Sequence, residues 1–295
     1  MKNYFGDIEN VNDNYLRQCF YWAFREGLKY PVYQIHYNES TENIKEENFV
    51  LMVTANENHN NLDHFYDDPR IVSIIKNYPH MINHNSSVGQ VYEAKLDDRG
   101  VIRFITEKED ERTLNIPLGT CNDFVPYNFT KRENLGGFIG QWTQFREDYV
   151  KKLDSFYDKM PFKFAFYNGF GPFIQDKDKG SLNSMDYSYH LSNFEISFCF
   201  SGQSPETYRL AESAYAGCVI VSDILPDVWY FRNLPAIFIA RKKNFEDIIT
   251  SILVNKSKRS YYQKAISEWC VETISPPAIG RKIAQHVRGL SENSV

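Results

Sequence analysis

The chain has 295 residues, enough for one large domain or two modest ones. Its net charge of −5 and pI of about 5.8 exclude a nucleic-acid binder that relies on a broad basic surface. No stretch approaches the ~18 consecutive apolar residues of a membrane span, and the polar, acidic first residues carry no leader pattern. The expectation is a protein with no nucleic-acid partner and no membrane span. It would be cytoplasmic, or a soluble catalytic portion trimmed of an anchor. The five cysteines (Cys19, Cys121, Cys199, Cys218, Cys270) are odd in number and lack metal-ligand spacing. They read as reduced, buried small hydrophobes. Nothing in the sequence sets an oligomeric state.

In chain order, residues 14–28 suit a helix. Residues 32–36 and 49–54 suit buried strands, and 69–77 a short helix. Residues 95–106 alternate around Asp97-Asp98-Arg99-Gly100 and predict a hairpin. Residues 106–112, TEKEDER, read as a solvated charged turn. From Leu135 a regular alternation begins: strand 137–139, helix 145–156, strand 162–167, helix 187–192. A strand–turn–helix–strand unit over 196–223 follows, then strand 236–240 and helix 245–253. Residues 256–271 and 277–290 read as two terminal helices. Alternation of this kind predicts a parallel sheet with helices on both faces.

The unit at 196–223 carries the chemistry. Residues 196–200 form a short apolar run that stops at Ser201-Gly202. Ser204 is placed to cap a helix and Pro205 to open it, and Ala216-Gly217 to end it. A turn from a strand's carboxyl end into a helix amino terminus offers free N–H groups and the positive end of a dipole, which suits phosphate. On that helix Tyr208, Arg209 and Glu212 share a face. Arg209 would meet an anion, and Glu212, one turn deeper, could accept two ribose hydroxyls. An ordinary surface ion pair between Arg209 and Glu212, worth under ~1 kcal/mol, is the plain alternative.

The same residues resemble a pattern of the exostosin-like glycosyltransferases. It runs through Ser197, Phe198, Cys199, Phe200 and Gly202, then Tyr208, Arg209, Leu210, Ala211 and Glu212. It ends with Gly217, Cys218, Val219, Val221 and Asp223. Upstream, Gly137-Phe138-Ile139-Gly140 followed by Arg146 is similar to the family's strand and the arginine that opens its next helix. Asn122-Asp123-Phe124-Val125-Pro126 is similar to a stretch that precedes them. The match covers about residues 120–255 and loosens after Pro226, where Asp227-Val228-Trp229 departs from the family's continuation.

The resemblance implies an α/β fold of two Rossmann-like lobes (GT-B), with C-terminal helices crossing back to the first lobe. Residues 1–130 would form a short acceptor-side lobe, 131–255 the nucleotide-sugar lobe, and 256–295 the returning helices and tail. It also implies an inverting transferase that moves a sugar from a UDP-sugar to a hydroxyl of a glycan acceptor, with no obligatory metal or other cofactor. The donor-binding set would be Arg146, Ser201, Gly202, Gln203, Ser204, Tyr208, Arg209 and Glu212. Candidates for the base that takes the acceptor proton are Asp63 and His64 in Leu62-Asp63-His64-Phe65, and His80 and His84 in His80-Met81-Ile82-Asn83-His84. Asp63 ranks first among them. Two other readings stand beside this one. Asp176-Lys177-Asp178 is a DxD that could hold a divalent ion in a metal-dependent transferase, though QDKDKG also suits a solvated loop. A non-catalytic nucleotide-sugar or glycan-binding protein would keep the second lobe without the acceptor machinery.

Overall fold

The structure, a computed structural model, describes residues 11, 13–54, 62–86, 89–98, 100–141, 146, 149, 153, 162–167, 183–202, 204–239 and 245–293. Helix α1 (Asn14–Arg25) starts where the Asp13 carboxylate accepts the Leu16 N–H. Strands β1 (Val32–His36), β2 (Phe49–Thr54) and β3 (Ile71–Lys76) follow, with the short helix α2 (Asp63–Tyr66) between the last two. Two hairpins come next: β4 (Asn83–Ser86) with β5 (Gly89–Tyr92), and β6 (Ala94–Leu96) with β7 (Ile102–Phe104). Strand β8 (Thr113–Asn115) completes a parallel sheet of order β1-β2-β3-β8.

One expectation fails here. Residues 69–77 hold an interior strand of this sheet, not a helix. Ile71, Ile74 and Ile75 are buried in a β-branched run too short and too uniformly apolar for periodicity to separate helix from strand. The charged stretch after it is also not wholly solvated. Glu109 pairs with Lys76, whose side chain is 1% exposed at the end of β3.

The second lobe contains β9 (Asn134–Gln141), β10 (Phe162–Tyr167), α3 (Ser184–Ser192) and β11 (Phe194–Cys199). It continues with α4 (Tyr208–Tyr215), β12 (Val219–Ser222), β13 (Leu225–Pro226), α5 (Trp229–Arg232), β14 (Ile237–Phe238) and α6 (Phe245–Val254). Its sheet is fully parallel, in the order β10-β9-β11-β12-β14. Alternation along the strands sets its two faces. Phe198, Phe200, Val219 and Val221 pack under Leu153 and α6, whereas Cys199 and Ile220 pack under α4 and α5.

Helix α7 (Lys256–Trp269) ends in a π-turn at Cys270–Ile274, and α8 (Pro276–Asn293) then returns to the first lobe. Ile279, Ile283 and Val287 of α8 share a core with Tyr15, Leu16, Cys19 and Phe20 of α1. The chain therefore has the two-lobed GT-B architecture, with its last helix closing the first lobe. Among the described residues no helix is long and apolar enough to cross a membrane. All five cysteines are free, four of them buried and Cys121 half-buried.

The lobes are joined at several points. Strand β13 of the second lobe pairs with β7 of the first. Trp229 on α5 donates its indole N–H to Asn115 O at 2.7 Å and packs against both cores. Arg103, 1% exposed, pairs with Asp97, donates to Phe231 O, and lies 4.5 Å over the Phe238 ring.

Candidate functional site

The strand order of the second sheet fixes where a ligand fits. The chain runs β9 to β10 on one side, then reverses to β11, β12 and β14 on the other. Between β9 and β11 lies a topological switch point, and in open α/β sheets the crevice beyond the carboxyl ends of the strands at such a point takes ligands. Three segments meet there: Gly140 near the end of β9, Phe200-Ser201-Gly202 after β11, and the start of α4.

Two arginines converge on this crevice. Arg146, on the helical segment after β9, donates from Nε to Ser201 O at 3.0 Å and from Nη2 to Phe200 O at 3.3 Å. Arg209, the second residue of α4, donates from Nε to Ile139 O. Both guanidinium groups lie over the Phe138 ring, at 5.4 and 4.4 Å. Glycines make room for them. A Cβ on Gly140 would stand 1.8 Å from Arg209 Nη2, and one on Gly202 2.7 Å from Arg146 Nη2. Two like charges this close and this buried repel each other. Burial first, then Arg209, pushes the Arg146 guanidinium down to about 9.

Hydrogen bonding leaves donors over. Arg209 is 8% exposed and Ser204 7% exposed, yet Arg209 Nη1 and Ser204 Oγ have no hydrogen-bond partner among the described residues. An unpaired buried N–H or O–H costs about 1–3 kcal/mol, so the arrangement suits a multivalent anion that would satisfy both. The remaining partner of the crevice is Asp223, just beyond β12. Its carboxylate accepts the Ser201 O–H at 2.7 Å and the Ser201 N–H at 3.1 Å. Burial raises it to about 6, against the pull of Ser201 and of Arg146. The sequence placed Asp223 at this strand edge but gave it no role. The signal was there, since it closes the apolar run that carries the resemblance.

Helix α4 departs from expectation at its start. It begins at Tyr208 after Thr207, not at Pro205, and no side chain caps it. Glu206 accounts for this. Its buried carboxylate accepts the Leu118 N–H and the Tyr230 hydroxyl, both at 2.8 Å, which holds residues 204–207 outside the helix. Burial lifts this carboxyl to about 7.

Arg209 and Glu212 form no surface ion pair, because each is buried and has its own partners. Glu212 is 1% exposed, and its carboxylate accepts the Cys121 N–H and the Tyr187 hydroxyl. Glu206 and Glu212 thus hold the segment that leaves β8 and enters the second lobe.

The structure brings together Arg146, Ser201, Gly202, Ser204 and Arg209, with half-buried Tyr208 at the helix start. Gln203, Asp176 and Asp178 lie outside the described residues. Asp63 and His64 are exposed on α2, which covers one face of the first sheet through Phe65, and they do not join the crevice. His84 lies on β4, in the hairpin between β3 and β8.

No protein-family model matches the chain, and no curated protein matches it. Among solved structures it is similar to one of a GtfA/B complex, at 11% identity over 84% of this chain and 58% of that one, with a TM-score of 0.47. It is similar to sucrose-phosphate synthase from Thermosynechococcus elongatus at 13% identity, over 95% of this chain and 72% of that one, with a TM-score of 0.46. A third is HepE of Anabaena in complex with UDP-glucose, at 10% identity over 81% of this chain and 78% of that one, with a TM-score of 0.43. The chain spans a little over half the length of the first of these.

Proposed function

We propose that this chain is an exostosin-like glycosyltransferase that takes a sugar from a UDP-sugar and passes it to a hydroxyl of a glycan acceptor. The anomeric centre is inverted and no metal is obligatory. One observation carries the reading: two buried guanidinium groups share the Phe138 ring at the switch point of a parallel sheet, beside the unpaired Arg209 Nη1 and Ser204 Oγ.

A nucleoside diphosphate satisfies both donors and relieves the repulsion between the arginines. Negative charge grows on the β-phosphate as the bond to the sugar breaks. Fixed cations and hydroxyl donors at that place favour the transition state over the ground state. In this reading Ser201 and Asp223 line the side of the crevice that the sugar occupies. Glu212 reaches the ribose only if the Tyr187 hydroxyl yields its bond. The preference for UDP and the inversion rest on the sequence resemblance. The amino-terminal lobe, residues 1–130, supplies the acceptor side, and residues 131–255 hold the donor.

The test is a calorimetric titration with UDP, repeated in EDTA, followed by UDP release from a panel of UDP-sugars. We expect binding that EDTA leaves unchanged and measurable release. No UDP binding would overturn the reading. Binding lost in EDTA would move it to the metal-dependent class, and binding without any release would leave a nucleotide-sugar-binding protein.

A further inference from the structure

We propose that His80 is the catalytic base for the transfer proposed above, and that Glu107 is the residue that positions it. The proposal rests on that reading of the donor crevice and supplies its missing acceptor-side group.

The argument begins at the carboxyl end of β3, an interior strand of the first sheet. Tyr78, two residues past the strand, has φ of +57°, a left-handed backbone that a bulky side chain rarely adopts. Such strain persists only where the surroundings over-determine it, and it concentrates at functional sites. This turn carries the chain from the first sheet towards the second lobe. There Met81 packs against Phe104 and Ile224. Ile224 follows Asp223, the carboxylate at the edge of the donor crevice. His80 thus adjoins Met81, which packs on the residue that follows Asp223, and it belongs to the opposite lobe from Arg146 and Arg209.

Three contacts hold His80. Its N–H donates to Glu109 Oε1 at 3.3 Å, its carbonyl accepts the Glu107 N–H at 2.8 Å, and Nδ1 lies 3.0 Å from Glu107 Oε2. Glu109 is anchored in turn by buried Lys76 and by the Asn115 amide. In the neutral tautomer that places the proton on Nδ1, beside Glu107 Oε2, Nε2 carries the lone pair. Among the described residues Nε2 has no partner, and the side chain is a quarter exposed. Asp63 and His64 are exposed on α2, whose Phe65 packs on a face of the sheet and whose Tyr66 meets the start of β8.

The chemistry balances with these groups alone. Nε2 takes the acceptor hydroxyl proton as that oxygen bonds to the anomeric carbon. The bond from that carbon to the diphosphate oxygen breaks, and its electron pair leaves with UDP beside Arg146 and Arg209. The imidazolium so formed is held by the Glu107 carboxylate until the proton passes to water.

The test compares wild type, His80→Ala and Glu107→Gln. UDP affinity is measured by calorimetry, and UDP release from a panel of UDP-sugars with water and methyl glycosides as acceptors. For His80→Ala we expect unchanged UDP affinity and a kcat lower by about 10²–10⁴-fold, the usual contribution of a general base. Added imidazole should restore part of that loss, which no purely structural role of His80 predicts. Glu107→Gln should lower kcat by roughly 10-fold or more with KM little changed, as expected of an orienting partner. Normal turnover in His80→Ala, or a loss that imidazole does not touch, overturns the base assignment while leaving the donor site standing. A wild type that binds UDP but releases none overturns the assignment as well. A wild type that does not bind UDP overturns the donor reading itself.

Discussion

Replacing Arg209 by Met separates binding from folding. The substitution keeps the volume over Phe138 and removes the charge. In the folded protein it loses the bond from Nε to Ile139 O and the ring contact at 4.4 Å, together worth about 2 kcal/mol. It also removes a buried N–H with no partner, a penalty of about 1–3 kcal/mol, and it relieves the repulsion on Arg146. These terms nearly cancel, so the unliganded variant should unfold within about 1 kcal/mol of wild type.

Binding has no such compensation. A hydrogen bond to a charged group is worth about 1.5–3 kcal/mol, so Kd for UDP should rise by roughly 10–150-fold. The two effects appear together in thermal unfolding. At UDP equal to 100 times the wild-type Kd, wild type gains about 2.7 kcal/mol. A variant 100-fold weaker gains only about 0.4 kcal/mol at the same concentration. Calorimetry gives Kd directly, and denaturant melts with and without UDP give the stability terms. A variant with near-wild-type affinity would refute the diphosphate role. A loss above about 3 kcal/mol without ligand would show that Arg209 is structural instead.

Gly140→Ala should drive Arg209 from its seat, since the new methyl would stand 1.8 Å from Nη2. We expect UDP affinity to fall as far as in Arg209→Met, with about 1–3 kcal/mol of destabilisation from overpacking, read by calorimetry and denaturant melts. Glu212→Ala leaves the Cys121 N–H and the Tyr187 hydroxyl unpaired. It should therefore cost about 2–4 kcal/mol of stability in urea, where a residue that served only a bound ribose would show no loss. Glu206, at about 7 in the folded protein, holds its proton more tightly than an unfolded glutamate near 4.5. Its contribution is therefore largest at low pH and falls as pH rises from 4.5 to about 7. Glu206→Gln should flatten that slope, gaining up to about 3 kcal/mol on wild type between pH 5 and pH 8 in thermal melts. Parallel stability–pH curves for the two proteins would exclude the buried, protonated carboxyl.

Much of the second lobe was legible because its pattern is local. Apolar runs at β11 and β12 end at polar residues, and Gly217, with φ of +66°, marks a left-handed stop that glycine takes without strain. Arg146 and Arg209 were both legible as cations for one diphosphate, but their shared seat over Phe138 was not, because the reversal between β10 and β11 that brings them together is long-range. The start of α4 was misread because Glu206 answers to Leu118 and Tyr230, far away in sequence, and not to the helix. The partners that Glu212 holds were hidden for the same reason. A carboxylate on a polar-looking helix face carries no mark that a backbone N–H from the other lobe will occupy it. In the first lobe β3 was misread as helix, and the Lys76–Glu109 pair was hidden in a run of charges that composition assigns to solvent.

The return of α8 onto α1 has a consequence for synthesis. The first lobe's core needs Ile279, Ile283 and Val287, which leave the ribosome after nearly all of the chain between α1 and α8. Gly280 brings the two helices so close that a Cβ would stand 2.5 Å from Trp22 Cβ, so no looser stand-in fits the seam. The half that is made first is thus completed last. While the second lobe folds on its own strands, α1 and the sheet beneath it wait with one apolar face uncovered. Apolar surface left open in this way is prone to associate with other chains until α8 covers it.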